Sequence, residues 1–172
     1  MKKIVVLPDV HTPNCNYQAI DPVKQFIKYY KPDILIQLGD FCDWDSVSSF
    51  NPRHEREIVT IDDESDSANQ LLDELDKIIP KKCRKIMIAG NHEDRYANFR
   101  VNQGMLVQSR RLKTFTTWDA EYNLYSRGWE KYDYGQHVKI GHIIFTHGWK
   151  AFKPKKMAEL FPGRNVIFGH LH

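Results

Sequence analysis

Five brief, continuous apolar runs constrain this chain more than any other feature: Lys3-Ile4-Val5-Val6-Leu7, Asp33-Ile34-Leu35-Ile36-Gln37-Leu38, Lys85-Ile86-Met87-Ile88-Ala89, His142-Ile143-Ile144-Phe145 and Asn165-Val166-Ile167-Phe168. Each is β-branched-rich, too short for a stable helix and bounded by Gly or Pro, so each reads as a strand. Apolar residues that do not alternate with polar ones indicate strands covered on both faces. Between the first two runs, residues 18–30 place Ile20, Val23, Phe26, Ile27 and Tyr30 at helical spacing, with Pro22 in a first turn. Residues 64–79 do the same with Ala68, Leu71, Leu72, Leu75, Ile78 and Ile79, and Pro80 stops the helix. Strand, helix and strand, twice over, predict β-α-β crossovers and a largely parallel or mixed sheet with helices outside.

The bulk properties narrow the class further. A length of 172 residues, 41% hydrophobic and 27% charged, fits one soluble domain with a real core. No apolar stretch approaches the ~20 residues of a membrane span, and the N-terminus enters a strand at once, without room for a signal peptide. A cytoplasmic protein with no membrane partner is the expectation. Cys15, Cys42 and Cys83 are odd in number and lack CxxC spacing, which argues against a disulfide framework and a thiolate zinc site. Cys42 reads as a small buried filler rather than a nucleophile. Charge is divided unevenly: residues 1–80 hold 8 Lys/Arg against 15 Asp/Glu, and residues 81–172 hold 17 against 7. The basic half is suited to a polyanionic substrate. Part of the acidic excess, Asp62-Asp63-Glu64-Ser65-Asp66, reads as the negative first turn of a helix.

Chemistry concentrates where the strands run out. The clusters are Asp9-Val10-His11, Gly39-Asp40-Phe41-Cys42-Asp43, Gly90-Asn91-His92-Glu93, Thr146-His147-Gly148 and Gly169-His170-Leu171-His172. In open α/β sheets, ligands bind beyond the carboxyl ends of the strands, where loops present polar groups from a rigid base. Asp and His two residues apart can reach one cation, and a carboxylate has two oxygens with which to bridge two. Taken singly, each residue has a structural reading: Asp9 ends a strand, Asp40 follows Gly39 in a turn, and Asn91 caps a helix. Five of the eight histidines fall in these clusters, whereas His54, His137 and His142 read as loop or strand residues without a ligand role.

The ordered set D-x-H, G-D-x-x-D, G-N-H-E, H-G and G-H-x-H closely resembles the signature of the calcineurin-like metallophosphoesterases, over essentially the whole chain. The resemblance implies a single metallophosphoesterase domain over residues 1–172, a four-layer α-β-β-α sandwich of two mixed sheets flanked by helices. Residues 44–60 and 93–136 would be loop or cap segments over the site. Within 93–136 a helix is expected over about 94–112, followed by an aromatic-rich stretch. Such folds commonly carry a further strand after the last His pair, whereas this chain stops at His172; it is either a trimmed portion of a longer protein or a minimal version.

Carried over by position, the resemblance implies that Asp9, His11, Asp40 and His172 hold one divalent ion and that Asp40, Asn91, His147 and His170 hold the other. The ions would be manganese first, with iron, zinc or nickel as alternatives. His92 would donate a proton to the leaving group, Asp43 would orient it, and a metal-bridging hydroxide would attack phosphorus. Glu93 is expected to cap or salt-bridge the helix that follows it. Protein phosphatases of this family place Arg after the second Asp of G-D-x-x-D, and Trp44 stands there. That departure favours a phosphodiesterase acting on nucleotides or nucleic acid over a phosphomonoesterase, whether nucleotide or protein phosphatase. Lys150, Lys153, Lys155, Lys156 and Arg164, with Trp149 and Phe152 interleaved, and a second segment of Arg110, Arg111 and Lys113, suit such a substrate. Arg95 reads as an exposed helix residue within reach of a phosphate. The alternative of another class is a non-catalytic scaffold that keeps the fold.

Overall fold

The computed structural model describes residues 2–48, 59–106, 117–148 and 154–171. Strands β1 (Ile4–Leu7), β2 (Ile34–Gln37) and β3 (Arg84–Ile88) follow the first three apolar runs and pair in parallel, with Ile4 opposite Ile34 and Ile34 opposite Arg84. The pleat sends alternate side chains to opposite faces. Val5, Leu35 and Met87 join Ile27, Leu71, Leu72 and Leu75 in one core, against helices α1 (Tyr17–Tyr30) and α2 (Ile61–Ile78). Ile34, Ile36, Ile86 and Ile88 join Val138 and Phe145 in a second core, against another sheet. Central strand β2 is buried along its whole length, which explains its unbroken apolar sequence.

A fourth strand, β4 (Trp129–Tyr132), adds to the same sheet, again in parallel, giving the order β1-β2-β3-β4. Among the described residues the facing sheet has three strands. Its β5 (His137–Ile140) runs antiparallel to β6 (Ile143–Thr146), and β6 runs parallel to β7 (Asn165–Phe168). Helix α6 (Pro154–Leu160) lies beside this second sheet: Met157 is buried, and Phe161, just past the helix, packs edge-on against His137 of β5. The result is two sheets flanked by helices. One of them is wholly parallel, where two mixed sheets were expected, because its added strand β4 arrives through a crossover of its own.

Neither β4 nor β5 announces itself in the sequence. Glu130, Lys131, His137 and Lys139 are exposed, and four-residue strands that bury only one or two side chains leave no periodic trace. The stretch expected as a cap, 93–136, holds α3 (Asn91–Leu106), two single-turn helices, α4 (Trp118–Glu121) and α5 (Leu124–Arg127), and β4 itself.

Helix starts follow local chemistry. The Asn16 side chain caps α1 by accepting from the Gln18 and Ala19 amides, so Pro22 falls inside the helix and not in its first turn. Thr60 and Asp63 form a reciprocal capping box at the start of α2. No helix among the described residues is long and apolar enough to cross a membrane.

Candidate metal centre

The parallel pairing of β1 and β2 continues into the loops beyond them. Asp9 N–H donates to the Gly39 carbonyl at 3.2 Å, His11 to Asp40 at 3.0 Å and Thr12 to Phe41 at 2.9 Å, while Asp43 donates back to Thr12 at 2.9 Å. The two segments therefore form one platform. On it the backbone takes left-handed conformations at Asp9 (φ 49°), His11 (59°) and Asp40 (50°), and across from it at His170 (74°). Asp, Asn and His tolerate this region better than other non-glycine residues, and clusters of such conformations mark functional sites. The loop after β3 presses directly on the platform: a Cβ on Gly90 would sit 2.1 Å from Asp40 Oδ1, so only glycine allows the approach.

This backbone brings the donor atoms together. Asp9, His11 and Asp40 offer one set of ligand atoms within 4.8 Å of one another, and Asp40, His147 and His170 offer a second. Asp40 belongs to both. Asn91 Oδ1 completes the second group, 2.9 Å from His147 Nε2 and 2.8 Å from His170 Nδ1. The Leu38 carbonyl, 2.7 Å from His147 Nδ1, accepts that atom's proton and turns Nε2 toward Asn91 and Asp40, 3.2 Å away. Asp9 accepts the His170 amide, at 2.9 and 3.1 Å on its two oxygens, which ties the last loop to the first. His172 lies outside the described residues, as do Trp149, Lys150, Phe152, Lys153, Arg110, Arg111, Lys113 and His54.

Electrostatics agree with a cation-binding role. Burial alone would raise the Asp40 carboxyl, but the His147 hydrogen bond and the charges of His147 and His92 outweigh it and hold the pKa at about 2. Burial would likewise lower His147 and His11. For His147 the Asp40 carboxylate wins, and for His11 Asp43, Asp40 and Asp9 win, so both imidazoles are raised. Acceptors converge on His147 Nε2 from Asn91 and Asp40, and a proton or a metal ion can satisfy them. His147 and His11 would have to give up protons to serve as ligands, so metal binding here would compete with acid.

His92 and Asp43 meet, though through an unexpected atom. His92 Nδ1 donates to the Asp43 main-chain carbonyl at 2.6 Å, while the Asp43 carboxylate is 3.7 Å from it and 2.7 Å from His11 Nδ1. The carboxylate therefore orients His11, and Asn14 holds its other oxygen at 2.7 Å. The His92 main-chain N–H donates to Asp40 Oδ1 at 2.9 Å, and its Nε2 lies 4.0 Å from Asp40 Oδ2. An imidazole fixed in this way turns Nε2 toward the shared ligand Asp40 and toward Arg95, whose Nη2 lies 3.5 Å from it.

The calcineurin-like phosphoesterase family model matches residues 2–172. The chain belongs to this family. Family members are metal-dependent phosphoester hydrolases, and the two donor groups are where such metals fit, by ligand type and by spacing. No curated protein matches the chain.

For a calcineurin-like phosphoesterase, the residue that most changes meaning in the structure is Glu93. It caps α3, as expected, by accepting the amide of Gly90 just ahead of the helix, and it does more than cap. It is wholly buried, with Oε2 accepting from the amides of Asp40 (3.0 Å) and Gly90 (2.8 Å), and Oε1 from Phe41 (3.0 Å), Cys42 (3.4 Å) and the Tyr122 hydroxyl (2.9 Å). One carboxylate thus sutures the second and third ligand loops. Burial and the Asp40 charge push its carboxyl up, against the pull of these donors. The five hydrogen bonds it accepts are those that favour the ionised form. Glu64 has a similar fate: fully buried, it accepts the Asp45 amide at 2.6 Å and the Ser46 amide at 3.2 Å, fixing the loop after Asp43. Sequence reasoning read both as helix-start acids, and nothing in residue type distinguishes a solvated first-turn acid from one turned inward.

Trp44 points away from the site. Its indole is fully buried, packs at a tilt against Tyr96 with 4.4 Å between ring centroids and donates from Nε1 to the Tyr122 hydroxyl at 3.0 Å. Position 44 thus delivers core packing and no cation. Cys42 is also fully buried, with burial and the Glu64 charge pushing its thiol well above the ordinary range. Cys42→Ala is expected to keep its metal content and to stay within about twofold of wild-type activity, as befits a small apolar filler. Rapid alkylation of Cys42 in the native enzyme, with loss of turnover, would contradict this.

Proposed function

We propose that this phosphoesterase is a dinuclear enzyme that cleaves phosphodiesters of nucleotides or nucleic acid, with Asp9, His11 and Asp40 holding one divalent ion and Asp40, Asn91, His147 and His170 the other. His172 completes the first set by motif position. The observation that carries the reading is the sharing of Asp40 between two donor groups built from different loops. Divalent ions bound by these two groups would polarise a phosphoryl group, lower the pKa of water and stabilise the attacking and leaving oxygens. Oxygen and imidazole donors suit manganese, the first metal to test, as well as iron, zinc or nickel.

The protein's own groups do the rest. His92, held by the Asp43 carbonyl, presents Nε2 to the leaving oxygen as its proton donor. Asp43 keeps its carboxylate on His11, orienting a ligand and not the acid. The amide oxygen of Asn91 adds a donor without adding charge. The preference for diesters is supported by Trp44, whose buried side chain leaves its position without the Arg that protein phosphatases of this family use on a monoester dianion.

The test is turnover by the manganese-loaded protein of bis(p-nitrophenyl) phosphate, single-stranded DNA and p-nitrophenyl phosphate, beside a His92→Ala variant. Diester cleavage that falls about 10²–10⁴-fold in the variant is expected of a lost general acid. Turnover of the monoester alone would overturn the diester preference, and none on any ester by wild type would leave the scaffold reading.

A further inference from the structure

Arg95 stands one helical turn after His92, and its guanidinium reaches back over the site. Nη1 donates to the Asp43 carbonyl at 3.0 Å and to Asp45 Oδ1 at 3.4 Å, while Nη2 lies 3.5 Å from His92 Nε2. The side chain is 22% exposed, so it is neither the free surface arginine expected of a helix face nor a core residue. Since the Asp43 carbonyl occupies His92 Nδ1, Nε2 is the edge of the ring available to substrate, and Arg95 shares that edge.

From this geometry we infer that Arg95 is a substrate-contacting residue, donating from Nη2 to a phosphate oxygen beside His92 and supplying the cation that position 44 withholds. The inference rests on the phosphoesterase reading of the site. Three features fit it to the task. First, the guanidinium is fixed before substrate arrives, because both acceptors of Nη1 belong to the 43–45 loop, and the Asp45 and Ser46 amides are held by buried Glu64. A planar fork anchored at one nitrogen keeps its second nitrogen aimed, which lowers the ordering cost of binding an anion. Second, Asp40 Oδ2 is 4.0 Å from His92 Nε2, so an oxygen placed near that nitrogen also lies next to the ligand shared by both donor groups. Third, Asp45 offsets part of the guanidinium charge, which matches a phosphodiester monoanion better than a monoester dianion.

A loop brace and a phosphate ligand make different predictions. The test uses full-length protein loaded with manganese, comparing wild type, Arg95→Ala and Arg95→Lys in titration calorimetry with inorganic phosphate, alongside metal content and kinetics on bis(p-nitrophenyl) phosphate. Loss of one charge-assisted hydrogen bond is expected to weaken phosphate binding in Arg95→Ala about tenfold or more, with metal content unchanged. Lysine should recover part of the loss, and added guanidinium should partly rescue kcat/KM in Arg95→Ala. Phosphate affinity within twofold of wild type would overturn the role, and so would a loss that tracks departure of metal, which would make Arg95 a brace. A wild type that binds phosphate through Arg95 yet turns over no ester would instead refute the enzymatic reading and leave the contact standing.

Discussion

Asp40→Asn protein is expected to purify with neither divalent ion, while Asp9→Asn loses only the ion on its own side. Asp40 is the one residue common to both donor groups, and its Oδ2 lies 3.2 Å from His147 Nε2 and 4.0 Å from His11 Nε2. An amide removes the negative charge around which both sets are assembled and turns an N–H₂ toward one of them. Activity should fall by about 10³-fold or more, since both the polarising and the water-activating roles depend on the pair of ions. The measurement is metal stoichiometry by elemental analysis together with turnover of a model diester. An Asp40→Asn protein that keeps one ion at full occupancy would show that the two sites are independent and that the shared carboxylate is incidental.

Glu93→Gln is expected to be the more damaging change for the fold itself. The carboxylate accepts from four backbone amides and one hydroxyl. Glutamine matches its shape but can accept at one end only, so its N–H₂ faces either the Asp40 and Gly90 amides or the Phe41 and Cys42 amides. Two buried donors are then orphaned, at about 1–3 kcal/mol each, for a loss of roughly 2–6 kcal/mol. For a chain of this size each kcal/mol corresponds to about 2–4 °C in Tm. Thermal unfolding with and without manganese gives the number, and metal affinity should weaken in parallel because the amide of Asp40 hangs on this carboxylate. A destabilisation below about 1 kcal/mol would mean that the loops hold their positions without the suture.

The contrast between Asp40 and Glu93 shows what can be read from residues in order. The groups gathered at the strand ends are chemically conspicuous, since Asp, His and Asn after apolar strands have few other reasons to recur, and the structure brings Asp9, His11, Asp40, Asn91, His147 and His170 together in one cluster. Strands β1, β2, β3 and β6 and helices α1 and α2 were legible because burial on a face or on both faces imposes a pattern, whereas β7, with no buried side chain, was legible only as an apolar run. What escaped is whatever depends on direction rather than type. Glu93 and Glu64 look like ordinary first-turn acids, and only the fold turns them inward. Arg95 looks like a solvated helix residue until Asp43 and Asp45 are seen beneath it. Trp44 was informative as a missing arginine, but its own role, packed on Tyr96 and bonded to Tyr122, belongs to the core. That the Asp43 carboxylate lies nearer His11, at 2.7 Å, than His92, at 3.7 Å, is a matter of which side chain the loop aims where.

The left-handed backbone at Asp9, His11, Asp40 and His170 limits how this site can be rebuilt. Each position selects its residue twice, once for a donor atom and once for a conformation that costs most side chains about 1–2 kcal/mol. Glutamate and cysteine also offer donor atoms to an ion, yet each would carry that backbone cost at every substituted position, and several together would consume much of a domain's net stability. The same dihedrals that let three short loops bring these donor atoms together therefore resist conversion to a thiolate site or to longer carboxylates. Variation in this enzyme is channelled outward, to the surrounding groups that choose the substrate.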